Sequence, residues 1–149
     1  MKLKSFLIAL ILVALPSLAV PADFTFAVMS DTHIKGDGAF AKNLTAIVGE
    51  INAANPAFVL HTGDETELGY TADYELYRKL TEPLKMPLYN VAGNHETKWS
   101  NWGKAGIKKF FGQEPYYSFD YGGLRRAQSS RIHFVGLDST MWLEHNGFM

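Results

Sequence analysis

An α/β fold built around a mainly parallel sheet is predicted for this 149-residue chain by two features. Short apolar runs alternate with segments of helical periodicity, an order that calls for right-handed strand–helix–strand crossovers. The first three apolar runs also each end abruptly in a polar motif: Asp31-Thr32-His33, then Gly63-Asp64, then Gly93-Asn94-His95-Glu96. In open parallel sheets, functional groups gather just beyond the carboxyl ends of the strands, so all three motifs are expected at one edge.

The first strand is predicted over residues 24–29, which are mostly apolar and end at Ser30-Asp31. A helix follows, because Leu44, Ile47, Val48 and Ile51 recur at spacings of three and four. Asn55-Pro56 closes it, since the residue before a proline is driven out of the helical region. Residues 58–60 form the second strand, and 73–80 a second helix with Leu76, Tyr77 and Leu80 inward. The third strand spans 88–92, followed by a packed loop and short helix carrying Trp99, Trp102, Ile107, Phe110 and Phe111. Residues 116–121 and 131–137 are rich in β-formers and predict two further strands around Gly122-Gly123.

The front of the chain stands apart from this pattern. Lys2 and Lys4 precede an apolar run at 6–15, then Pro16 and the small residues Ser17, Ala19 and Ala22. This layout predicts a signal peptide over 1–22, cleaved after Ala19 or Ala22, and a secreted or periplasmic product. The run falls well short of the roughly 20 apolar residues of a spanning helix, so no stable membrane anchor is expected. Losing Lys2 and Lys4 makes the net charge of −1 two units more negative, and strong nucleic-acid binding, which rewards clustered Lys and Arg, is not expected. The absence of cysteine excludes disulfides, thiolate metal sites and a cysteine nucleophile. With no repeat or linker after the leader, residues 23–149 read as one domain.

Asp-x-His at a strand exit places a carboxylate and an imidazole two residues apart, which in extended backbone share a face and can converge on one ion. Asp64 follows a glycine that allows a sharp bend, and Asn94 and His95 add an amide oxygen and a second imidazole. Such sulfur-free donors suit Mn, Fe or Zn.

In order and in spacing of about thirty residues, these motifs resemble the opening signature of the calcineurin-like metallophosphoesterases. The resemblance covers roughly residues 24–143 and implies the N-terminal half of an α/β/β/α sandwich, a mainly parallel sheet with helices on one face. It implies a metal-dependent hydrolase acting on phosphomonoesters or phosphodiesters through metal-activated water. Asp31 and His33 would bind the first of two metal ions, Asp64 would bridge both, and Asn94 would bind the second. His95 would face the phosphoryl group as the catalytic residue. Behind the ligands, Glu67 either orients His95, as an aspartate does in some family members, or is an exposed loop glutamate; His61 and Glu96 are further supporting candidates. A tyrosine ligand stands three residues after the bridging aspartate in purple acid phosphatases, whereas here Tyr70 falls three residues later still.

His133 reads as a surface residue, and His145 lies in a tail without a surrounding pattern. The family signature continues with a single histidine and a Gly-His-x-His motif that this sequence lacks before Met149. The expectation is therefore a C-terminally truncated domain with partial metal occupancy, weak or no activity alone, and an exposed apolar sheet face. The alternative is a non-catalytic metal-binding module whose exposed face docks to a partner chain.

Overall fold

The computed structural model describes residues 24–36, 38–122 and 131–141. The predicted signal segment, His145 and the stretch 123–130 lie outside them. Three short strands, β1 (Ala27–Met29), β2 (Val59–His61) and β3 (Leu88–Asn90), form a parallel sheet in the order β1-β2-β3. Register pairs Met29 with His61 and His61 with Asn90, so the three strands end level with one another. Each chain therefore leaves the sheet at the same edge, which is how three motifs distant in sequence become neighbours.

Helix α1 (Ala39–Ala54) connects β1 to β2 and buries Ala41, Leu44, Val48 and Ile51, the predicted three-and-four spacing. Asn55 terminates it in the left-handed conformation (φ 50°), its N–H donating to the Ile51 carbonyl at 2.9 Å. Helix α2 (Thr71–Thr81) connects β2 to β3. Tyr77 is fully buried as expected, but Leu76 and Leu80 are only half-buried, while Tyr74 is fully buried and stacks on Phe110 at 4.4 Å. The inward stripe is thus rotated toward the aromatic face of the helix, because Phe110 and Phe111 pack against it.

Residues alternate across the parallel sheet. Met29 and Val59 join Leu44, Val48, Ile51 and Tyr77 in the core under the helices. Full burial of each such side chain contributes about 1.5–3 kcal/mol. On this same helix-facing side Tyr77 donates its hydroxyl proton to Asn90 Oδ1 at 2.8 Å, which satisfies two buried polar groups together.

The opposite face was expected to be bare, and here the structure differs. β4 (Tyr117–Gly122) and β5 (Arg131–Gly136) pair antiparallel and lay an aromatic layer over it. Phe119 stacks on Tyr89 at 4.0 Å, Phe134 meets Phe58 edge-on at 4.9 Å, and Tyr121 lies 4.5 Å from Phe24. Period-two alternation puts Tyr117, Phe119 and Tyr121 on one side of β4, and that side finds the apolar sheet. Phe26 and Val28 remain 41% and 59% exposed at its margin.

Candidate metal centre

Beyond the strand ends, the segments after β1 and β2 continue to pair. The N–H of Asp31 donates to Gly63 O at 3.1 Å, that of His33 to Asp64 O at 3.0 Å and that of Ile34 to Glu65 O at 2.9 Å. This short zipper locks the two segments in register without extended geometry. Asp31, His33 and Asp64 all adopt positive φ, at 54°, 44° and 59°. The expectation that Asp31 and His33 share a face of extended backbone is corrected: they converge through left-handed turns. Left-handed backbone at non-glycine residues is strained by about 1–3 kcal/mol each and is held by its surroundings, a pattern concentrated at functional sites.

The outcome is a compact donor set. One ligand atom from each of Asp31, His33 and Asp64 lies within 4.8 Å of the others, and His33 Nε2 stands 3.7 Å from Asp31 Oδ1. Two carboxylates and an imidazole at that separation fit one divalent ion of the Mn, Fe or Zn type. The third motif joins through Asp64, whose Oδ1 accepts the His95 N–H at 3.0 Å. Asn94 opens a five-residue π-helical turn, His95–Trp99, that presents His95 beside His33, with ring centroids 4.6 Å apart. Glycine is required at 93: a Cβ there would sit 2.1 Å from Asp64 Oδ1.

Glu67 touches both histidines, though not as the sequence implied. Its carboxylate lies 3.0 Å from His33 Nδ1, and its main-chain carbonyl, not its side chain, meets His95 Nδ1 at 2.5 Å. Despite the short separation, no hydrogen bond forms between His33 Nδ1 and that carboxylate. His33, Glu67 and His95 make a second convergent trio beside the first.

His61 is packed, not ligating, and its tautomer follows from its partners. The Gly63 N–H donates to Nδ1 at 3.2 Å, so Nε2 carries the proton and donates to Thr32 Oγ1 at 3.0 Å. Thr32 in turn donates to the Glu65 carbonyl at 3.1 Å. Burial lowers the His61 pKa to about 4 against the opposing pull of Glu96, Asp31 and Asp64, so the ring is neutral. The central residue of Asp31-Thr32-His33 is thereby tied to the turn carrying Asp64.

Two glutamates lie fully buried behind the site. Glu96 receives four hydrogen bonds, whereas neither side-chain oxygen of Glu65 meets a donor. Burial pushes both carboxyls up to about 8, and the neighbouring Glu65 adds to the shift of Glu96. Four donors surround Glu96, an arrangement that favours its ionised form over that of Glu65. Nothing in the sequence separates Glu65 from an ordinary loop acid; its role comes from burial alone. His133 is exposed, as expected, and pairs with Asp120 at 2.8 Å. Tyr70 is exposed at 54%.

A model of the calcineurin-like phosphoesterase family matches residues 24–148, and the chain belongs to that family. It is 28% identical over 122 residues to a probable glycerophosphodiester phosphodiesterase, GpdQ, of Arcobacter nitrofigilis, covering 76% of this chain and 42% of that protein. Among solved structures it is similar to the purple acid phosphatase PPD1 from yellow lupin seeds, with a TM-score of 0.51 at 20% identity over 66% of this chain and 22% of that one. This likeness shows the metallophosphoesterase-type fold. The chain spans less than half the length of either relative.

Proposed function

We propose that this chain supplies the metal-binding front of a phosphoesterase that hydrolyses phosphodiesters or phosphomonoesters with water. The observation that carries the reading is the convergence of Asp31, His33 and Asp64 donor atoms within 4.8 Å at the common exit of parallel strands. In this reading Asp31 and His33 would hold the first of two ions, Asp64 would be shared by both and Asn94 would serve the second. Bound ions supply Lewis-acid polarisation of the phosphoryl oxygens and acidify a water. His95 stands next to that position, steadied at Nδ1 by the Glu67 carbonyl, so its Nε2 is the nitrogen available to protonate a leaving oxygen. Similarity to the probable glycerophosphodiester phosphodiesterase of Arcobacter favours a diester, and the basic-then-apolar leader favours export from the cytoplasm.

The test is twofold: Mn, Fe(II) or Zn binding by calorimetry, and turnover of bis(p-nitrophenyl) phosphate and p-nitrophenyl phosphate. Metal-dependent turnover above the metal-only blank, lost in Asp64→Asn, is the expected outcome. Absence of metal uptake by the folded chain sinks the proposal.

A further inference from the structure

Glu96 is the last residue of Gly93-Asn94-His95-Glu96, and it is fully buried. Its Oε2 accepts the N–H of Asp64 at 2.9 Å and that of Gly93 at 3.0 Å. Its Oε1 accepts the N–H of Thr66 at 3.0 Å and the Thr66 hydroxyl at 3.1 Å. One carboxylate thus grips both sides of the Asp64 turn and the turn that leads to Asn94 and His95. Thr66 extends the grip, because it bridges in parallel to Ile34, the residue after His33.

The Asp64 turn needs such a partner. Asp64 sits at φ 59° beside Gly63 at φ 113°, so its N–H turns away from the strand ladder. A buried N–H without an acceptor costs about 1–3 kcal/mol. Satisfying it from Glu96 fixes the direction of the peptide, and with it the direction of the Asp64 side chain. The same oxygen takes Gly93 N–H, whose Cα stands where any side chain would collide with Asp64. All four donors point inward, so this pocket selects an acceptor-only group.

We propose that Glu96 is a positioning residue: through four hydrogen bonds it holds the Asp64 turn against the Asn94–His95 turn, so that both present their side chains to one site, without binding metal or substrate itself. The inference rests on the metal-site reading above. It separates Glu96 from its buried neighbour Glu65, which holds no loop amide through its side chain.

Glu96→Gln retains the shape but replaces one acceptor oxygen by an NH2 group, which in either orientation opposes at least one backbone N–H and splays the turns. Mn(II) affinity of the full chain, measured by calorimetry, is expected to fall about 10–100-fold, the range seen when groups supporting a metal ligand are removed. The Mn(II) electron paramagnetic resonance spectrum should lose any coupled-pair signal and keep that of a single ion. Val48→Ala, which weakens the α1 core far from the loops, serves as a control for lost stability and should keep wild-type affinity. If Glu96→Gln does not fold, Glu96→Asp, too short to reach both turns, decides by the same criterion. Folded variants with wild-type Mn(II) affinity overturn the positioning role if Asp64→Asn weakens binding in the same assay. Unchanged binding in Asp64→Asn overturns the metal site and the positioning role with it.

Discussion

The main-chain N–H of His95 donates to Asp64 Oδ1 across 3.0 Å, so the residue proposed to handle the leaving group is tied by its backbone to the carboxylate proposed to bridge the ions. Side chain and main chain of His95 therefore have separable duties. His95→Ala keeps the amide, and metal affinity is expected to stay within about threefold, well inside the 1.4 kcal/mol that a tenfold change represents. Turnover is expected to fall about 10²–10⁴-fold, the usual worth of a positioned acid or base. Parallel calorimetry and steady-state kinetics check the split.

Gly93→Ala acts on the other partner. The new methyl would lie 2.1 Å from Asp64 Oδ1 and 2.3 Å from Asp64 N, so the turn must move as a unit. Overpacking of this kind is expected to lower stability by about 1–3 kcal/mol and to displace the Asp64 carboxylate. Thermal melts with and without Mn(II) measure it: the variant should melt lower and gain little from the metal.

Tyr77→Phe removes the hydroxyl that donates to Asn90 Oδ1 at the end of β3. The amide oxygen is left buried without that donor, and the expected loss is about 1–3 kcal/mol. Urea melts should show a lower midpoint with an unchanged slope, since the surface exposed on unfolding is the same.

Buried carboxyls and a buried imidazole set the pH dependence of the metal-free protein in opposite directions. Burial raises Glu65 from 4.5 to about 8, so its contribution is complete below pH 4.5 and is lost as pH rises through 8. Burial lowers His61 from 6.5 to about 4, so its contribution is complete above pH 6.5 and is lost as pH falls through 4. The two trends offset one another between pH 4.5 and 6.5. From pH 6.5 to 8 the raised carboxyls Glu65 and Glu96 act in the same direction, and stability should fall by on the order of 1–2 kcal/mol or more. Glu65→Gln should make that limb shallower in chemical denaturation series; an unchanged limb in the variant assigns the effect elsewhere.

Much of the architecture was legible because periodicity is a local property. The spacing of Leu44, Val48 and Ile51 specified α1, and Asn55-Pro56 its end, to within a residue of the observed boundary. The three polar motifs marked the strand exits, since an apolar run that stops at Asp31 or Asp64 must leave the sheet there. Burial of Tyr74 in place of Leu76 was not legible, because it depends on Phe110 and Phe111, more than thirty residues away. The covering of the sheet by β4 and β5 was hidden for the same reason: alternation shows that Phe119 and Tyr121 share a face, but not which surface they meet.

Within the site the division is similar. Residue types and order alone announced Asp31, His33, Asp64, Asn94 and His95 as a group, because few chemistries use carboxylate, imidazole and amide at successive strand ends. Only the folded chain revealed that Asp31, His33 and Asp64 reach one another through left-handed turns. It likewise directed the Glu67 carboxylate to His33 rather than His95, and wrapped four donors around Glu96. Those outcomes depend on where buried N–H groups from separate loops find acceptors, and that is settled by three-dimensional proximity, which no spacing along a single chain encodes.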